Sequence, residues 1–239
     1  MPKRNDLTLY ERHAHGWWDP NEPFFRSLRS VKRFHVRLLD DLVGDAGALK
    51  GATVVDLGCG GGLFAMELSE RGAGVIGVDL SAGSLAAGRA EADRRSANVR
   101  FVRADLRRTP LPSRCADLVL LSDVVEHVDD PRPALREAAR LLVPGGALFV
   151  NTFDSGFLSA LLVVHLGEGL GLVPKGTHDP ALFVSPSDLE LHAAGCGLRL
   201  ERLQREAPAL LASLFTRTVK LRKSRLGCGY TAWFRKVTR

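Results

Sequence analysis

From Lys50 to Phe153, short β-branched runs alternate with longer stretches in which apolar residues recur every three or four positions. Alternation of this kind predicts consecutive β-α-β units and a parallel sheet with helices packed on both faces. The runs place strands at Thr53–Asp56, Val75–Asp79, Val99–Arg103, Leu118–Ser122 and Ala147–Thr152, and helices at Leu63–Arg71, Ser84–Arg94 and Pro131–Leu142. Pro144-Gly145-Gly146 reads as a turn, since proline stops a helix and glycine takes backbone angles closed to other residues.

The flanks are less regular. Before Lys50 the spacing predicts a helix over Val31–Val43, with Trp17, Trp18, Phe24 and Phe25 as packing anchors of an N-terminal cap. After Phe153, residues Gly156–Val173 are strongly apolar but too short and too polar for a spanning helix, which needs ~20 apolar residues. Ser185 or Ser187 reads as a helix cap with Pro186 in the first turn. Leu198–Leu203 and Gly229–Phe234 read as antiparallel strands, with a helical pattern over Ala207–Lys223 between them. The expected fold is therefore a doubly wound α/β domain with a mostly parallel, seven-stranded, Rossmann-like sheet. Along the single domain it predicts a cap over 1–49, a core over 50–153, a lid over 154–180 and the rest of the sheet over 181–239.

Composition changes this picture little. The chain has 239 residues, 45% of them hydrophobic and 25% charged, which suits one globular core. Its four cysteines are scattered without a CxxC pair, so neither a zinc site nor a disulfide framework is indicated. The polar stretch from Met1 to Trp17-Trp18 lacks the apolar region of a secretory signal, which predicts a cytoplasmic protein. The formal charge of +6 would suit an anionic partner. Much of that excess lies on Arg-rich helical faces and at Arg217, Lys220, Arg222, Lys223 and Arg225, a pattern that solvated faces also produce.

The chemistry concentrates where strands end. Val54-Val55-Asp56-Leu57-Gly58-Cys59-Gly60-Gly61-Gly62 is a strand running into a glycine turn that opens a helix, and glycine lets a backbone approach a ligand closely. A dinucleotide fingerprint after Gly58 and Gly60 would place its third glycine at position 63, where this chain has Leu63. Asp56, at the mouth of the loop, would repel a pyrophosphate but attract the ammonium of a methionine moiety. Asp79 ends the second strand, where its two oxygens can accept from ribose hydroxyls, and Asp105 follows the third, where it can accept from an adenine amine. Leu80 and Leu106 flank those acids. Carboxyl ends of parallel strands are where open α/β sheets hold ligands, so the set predicts S-adenosylmethionine (SAM) as cofactor.

After the fourth strand comes Ser122-Asp123-Val124-Val125-Glu126-His127-Val128-Asp129-Asp130-Pro131. Methyl transfer needs an aligned acceptor, and a hydroxyl acceptor becomes a good nucleophile once a base takes its proton or a metal lowers its pKa. Asp123, Glu126 and His127 can converge on a hard cation such as Mg²⁺, or His127, oriented by Glu126, can act as a general base without metal. Asp129 and Asp130 before Pro131 also make an ordinary helix start.

At this point the chain resembles the ubiquinone-biosynthesis O-methyltransferases, which act on catechol-type hydroxyls of polyprenylated precursors. The matching stretches are Trp17-Trp18-Asp19, the VVDLGCGGG loop, the DVVEHVDDP run and the narrower string Val173-Pro174-Lys175-Gly176-Thr177-His178-Asp179. The resemblance implies that Arg37, or Arg33 with a one-residue gap, binds SAM together with Gly58, Asp79 and Ser122. It also implies metal ligation by Asp123, Glu126 and His127, with Asp123 where the family usually has Glu. Residues 156–173 coincide with a family insertion that resembles a membrane-contacting lid, implying a location at the inner face of a membrane; folding of this segment over the sheet is the alternative.

The expected partner is a phenolic or quinol small molecule. The family's Gly-x-x-Tyr-Asn-Pro element is replaced here by Gln204-Arg205-Glu206-Ala207-Pro208 and a leucine-rich stretch, which leaves a secondary-metabolite acceptor as the alternative. Nucleic acid is not expected, because the segment after the fourth strand lacks the prolines of an adenine-methylating Asn/Asp-Pro-Pro-aromatic turn. A SAM-binding protein without turnover is the third class.

Overall fold

The alternating runs do become parallel strands. The computed structural model describes residues 5–44 and 47–238; the polar start of the chain, Met1–Arg4, lies outside them. In order, the elements are α1 (Thr8–Arg12), α2 (Arg26–Val43), β1 (Thr53–Leu57), α3 (Leu63–Glu70), β2 (Gly74–Asp79), α4 (Ala82–Arg95), β3 (Val99–Arg103), β4 (Ala116–Ser122), α5 (Arg132–Leu141) and β5 (Leu142–Phe153). There follow α6 (Phe157–Ser159), which continues as π-helical turns over Ala160–Glu168, then α7 (Pro186–Ala194), β6 (Leu198–Pro208), α8 (Leu210–Thr216), β7 (Leu221–Ser224) and β8 (Gly229–Lys236).

The strands form one sheet in the order β3-β2-β1-β4-β5-β8-β6-β7. Those from β3 to β5 are parallel, and β8, β6 and β7 add antiparallel pairings. Side chains alternate across the strands, so both faces are buried. Val54, Leu118, Leu120 and Phe149 pack with Val36 and Leu39 of α2 and Phe64 and Leu68 of α3. Val55, Val119, Leu121 and Val150 pack on the other side with Leu135 of α5 and Leu189 of α7. The chain winds outward in opposite directions from β1 and β4, and the carboxyl ends of these two neighbours therefore bound the crevice where such sheets take ligands.

Local signals explain the helix ends. Gly44, in the left-handed region at φ 77°, terminates α2. The Ser81 and Ser185 hydroxyls accept the backbone N–H of Ser84 and Asp188 and start α4 and α7, with Pro186 in the first turn of α7.

The differences from expectation lie at the flanks. Helix α2 begins at Arg26, five residues before Val31. The expected turn Pro144-Gly145-Gly146 is an irregularity inside β5, where pairing jumps from Ala116–Leu142 to Leu118–Ala147. Gly145, at φ 77°, lets the backbone loop out without leaving the sheet. The helix expected over Ala207–Lys223 is only α8: β6 runs on to Pro208, and β7 pairs with its end from Arg205 to Pro208. The sheet consequently has eight strands among the described residues instead of seven. The helical spacing there was misleading because Leu211 and Phe215 face solvent, 86% and 92% exposed, and do not pack on a core.

Candidate active site

Two cavities meet at the carboxyl ends of β1 and β4. The first, of about 590 Å³, is lined by Gly58 and Gly60 of the glycine loop, by Asp79, Leu80 and Ser81 at the end of β2, by Asp105 and Leu106 after β3, and by Ser122 and Asp123 at the end of β4. The second, of about 360 Å³, is overwhelmingly apolar and is walled by Phe24, Phe25, Phe153, the lid and α8. Tyr10, Leu28, Asp123 and His127 line both.

In the glycine loop, Gly58 and Gly60 adopt left-handed angles of φ 80° and 53°. A Cβ on Gly58 would lie 2.5 Å from Val124 Cγ2, and one on Gly60 would lie 2.4 Å from Trp17 Cη2. The loop thus needs glycine for packing under the Trp17 indole as well as for its backbone angles. Trp17 Nε1 donates to Ser84 Oγ at 2.9 Å and Trp18 Nε1 donates to the Gly61 carbonyl at 3.0 Å, so the tryptophan pair ties the N-terminal segment to the loop. Asp79 accepts from Gly60 N on Oδ2 and from Ser81 N on Oδ1, both at 2.8 Å. Burial nevertheless holds its carboxyl above the ordinary range, against those backbone hydrogen bonds. Each oxygen keeps a second lone pair for a hydroxyl in the cavity.

Three other predicted cofactor residues are placed differently. Arg37 is exposed on α2 and lines neither cavity. The inward cation of that helix is Lys32, whose Nζ donates to the Ser122 carbonyl at 2.8 Å and to Ser122 Oγ at 2.6 Å, and lies 2.8 Å from Asp123 Oδ2. Asp56 is 2% exposed and also lines neither cavity; burial pushes its carboxyl up to about 7, opposed by the charge of Lys32. Asp105 does reach the first cavity, but its two oxygens are gripped by the Arg107 guanidinium at 2.6 to 3.0 Å, which holds it below the usual carboxylate range.

The acceptor-side trio separates as well. Asp123 takes a left-handed φ of 55°, which Asp tolerates better than the longer Glu, and Asn151 Nδ2 donates to its Oδ1 at 2.7 Å. Burial pushes its carboxyl up, but the charges of Lys32 and His35 outweigh that and hold it down. Glu126 is fully buried, accepts from Thr152 Oγ1 at 2.7 Å, and is pushed up to about 8 by burial and by Asp123. His127 faces both cavities, with Nδ1 2.8 Å from Asn5 Oδ1 and its ring stacked on His178, centroids 5.3 Å apart. Burial lowers His127 to about 4 and His178 to about 3, so both rings are neutral near pH 7.

The donor set does not fit Mg²⁺. Asp123 is engaged by the Lys32 ammonium, and Glu126 is buried with Oε2 on the Thr152 hydroxyl. Among the described residues, no three His, Cys, Asp or Glu side chains form a group able to hold a metal ion. The expected ligand set of Asp123, Glu126 and His127 is corrected accordingly.

A family described as a methyltransferase domain matches residues 55–150. The ubiquinone biosynthesis O-methyltransferase of Coxiella burnetii is 31% identical over 198 residues, covering 82% of this chain and 82% of its own. That of Leptothrix cholodnii is 34% identical over 199 residues, covering 82% of this chain and 83% of its own. The chain belongs to the ubiquinone biosynthesis O-methyltransferase family. It is accordingly a SAM-dependent methyltransferase. Solved structures agree on the fold. A SAM-dependent methyltransferase from Thermotoga maritima, described as a possible histamine N-methyltransferase, superposes with TM-score 0.68 at 21% identity, covering 96% of this chain and 98% of that one. A protein from Pyrococcus horikoshii gives 0.68 at 22%, covering 95% and 98%.

Within this family member, the residues that sequence reasoning missed are Lys32, Tyr10, Asn5, and the buried pair His35 and Glu206, whose Nε2 and Oε2 are 2.7 Å apart. One signal was present: Leu28, Lys32, His35 and Leu39 share the inward face of α2, and two ionisable groups in an apolar stripe point to a polar site. Tyr10 and Asn5 belong to a segment without periodicity and carried none.

Glu126 yields a pH prediction. A folded-state pKa of about 8 against an unfolded value near 4.3 means that the native state holds the extra proton, so stability falls as pH rises from about 4.3 through about 8. Glu126→Gln mimics the neutral acid and is expected to flatten that decline. Thermal melts of both proteins between pH 5 and 8 check it; parallel curves would contradict the assignment of a buried neutral acid.

Proposed function

We propose that this methyltransferase moves the SAM methyl group to a phenolic hydroxyl of a polyprenylated quinol precursor, with His127 as the general base. One observation carries the reading: His127 faces both a cavity bordered by the strand-end acids Asp79 and Asp105 and an almost wholly apolar cavity suited to a hydrocarbon tail. The bound sulfonium supplies an electrophilic methyl carbon. His127 Nε2 accepts the phenolic proton as the oxygen bonds to that carbon and the carbon–sulfur bond breaks, its electron pair remaining on sulfur. The expected ribose partner is Asp79, with Gly58, Gly60, Leu80, Leu106 and Ser122 as further wall; Lys32 and Asp123 maintain the β4 end. Tyr10, whose phenol burial raises well above its ordinary value, is a neutral group between donor and acceptor. The names of the family relatives support an oxygen acceptor.

The mouth of the apolar cavity supports peripheral membrane contact. Leu166, Leu170, Leu210 and Leu214 line the cavity and are themselves 40% to 55% exposed, while Leu211 and Phe215 beside them project into solvent. Arg217, Lys220 and Arg222 follow in sequence and would favour an anionic surface. No helix among the described residues is long and apolar enough to cross a membrane.

A single assay tests both parts. Methyl transfer from labelled SAM is expected on a prenylated catechol in anionic liposomes, and more weakly on a water-soluble catechol. A Leu211→Asp/Phe215→Asp double variant should lose rate on the liposome substrate alone. Absence of O-methyl product would overturn the reading, and equal loss on both substrates would remove the membrane surface from it.

A further inference from the structure

Among the described residues, the start of the chain reaches His127 across the whole N-terminal half of the sequence. Asn5 Nδ2 donates to the His127 carbonyl at 3.0 Å, and Asn5 Oδ1 lies 2.8 Å from His127 Nδ1. These two contacts define each other. A carbonyl only accepts, so the amide nitrogen must face it, which turns the amide oxygen towards the ring; an amide oxygen also only accepts, so Nδ1 must carry the proton. Nε2 is then the lone-pair nitrogen, and it has no hydrogen-bond partner among the described residues. Asn5 holds φ 58°, a left-handed angle that asparagine takes more readily than most residues.

The arm carrying Asn5 is anchored on both sides of the site. Asp6 N donates to the Gly176 carbonyl at 3.1 Å, next to Thr177 and His178. Asp6 Oδ1 accepts from the backbone N–H of Thr8 at the start of α1. From α1, Glu11 reaches Gly83 N at 3.1 Å and Ser81 Oγ on the far rim of the SAM cavity.

We infer that Asn5 is a positioning residue that selects the Nδ1-protonated tautomer of His127 and aims Nε2 at the acceptor. This rests on the reading of His127 as the proton acceptor. The general reason is that an imidazole base works only in the tautomer its neighbour enforces, and misorientation costs heavily without disturbing binding elsewhere.

The experiment compares wild type, Asn5→Ala and Asn5→Asp by ¹⁵N NMR of the histidine rings, with His127→Ala to assign the signal, and by kcat and KM with a prenylated catechol. Asn5→Ala is expected to give mixed tautomers at His127 and a kcat loss of about 10- to 100-fold, with KM for SAM unchanged. Asn5→Asp keeps an acceptor facing Nδ1–H and should retain the single tautomer and most of kcat, which separates positioning from general loosening of the arm. If Asn5→Ala keeps the single tautomer and wild-type kcat, the inference is overturned; the same holds if Asn5→Asp loses as much as Asn5→Ala. Full activity in His127→Ala would instead overturn the general-base reading, while the NMR spectra still report whether Asn5 sets the tautomer.

Discussion

Alanine at position 127 is expected to lower kcat by about 10²- to 10⁴-fold, the range associated with loss of a positioned general base. SAM affinity should stay near wild type, because the glycine loop and Asp79 remain in place. The size follows from placement. His127 lines both cavities, and with Nδ1 turned to Asn5 its other nitrogen is left for a proton in transit. Burial holds the ring neutral down to about pH 4, so the acidic limb of kcat/KM is expected near there and not at the ordinary histidine value. Steady-state kinetics across pH 4 to 8, together with calorimetric SAM binding, check both parts. Turnover in His127→Ala within threefold of wild type would require another base.

The second large effect is expected on the donor side. Removing the Asp79 carboxylate should weaken SAM binding by about 100-fold, corresponding to two hydrogen bonds to a charged acceptor at roughly 1.5 kcal/mol each. The variant also deprives Gly60 N and Ser81 N of their acceptor, so loop order is expected to be lost along with the proposed ribose contact. Titration calorimetry with SAM or its demethylated product gives the answer directly. A wild-type dissociation constant for Asp79→Ala would remove that residue from the site and, with it, the identification of the 590 Å³ cavity as the SAM cavity.

Sequence reasoning reached these two residues because Asp79 ends a strand and His127 lies in the turn that follows one, and strands in a parallel sheet announce themselves by short β-branched runs. Gly58, Gly60, Leu80, Leu106 and Ser122 were reached in the same way and line the same cavity. It led to Arg37, which lines neither cavity, and overlooked Lys32, because an α2 residue was chosen by its match to a family position. Which face of a helix turns inward depends on the angle at which it packs, and here that angle brings Lys32 to Ser122. Glu126 illustrates a different limit. A carboxylate beside a histidine in sequence suggests cooperation, yet a short helical turn sends neighbouring side chains in different directions. Glu126 meets Thr152 in the interior, whereas His127 meets the cavities.

Local order along the chain therefore settled the doubly wound architecture, the glycine turn and the acidic strand ends, since each depends on a few consecutive residues and on backbone geometry that neighbours impose. Contacts between distant segments decided the rest. The 122 positions separating Asn5 from His127, the 171 separating His35 from Glu206 and the bridge from Lys32 to Ser122 are closed only by tertiary packing. The same packing determines which acids are desolvated into neutral groups and which stay charged, because solvent access and the nearest opposite charge are properties of the folded interior and not of sequence spacing.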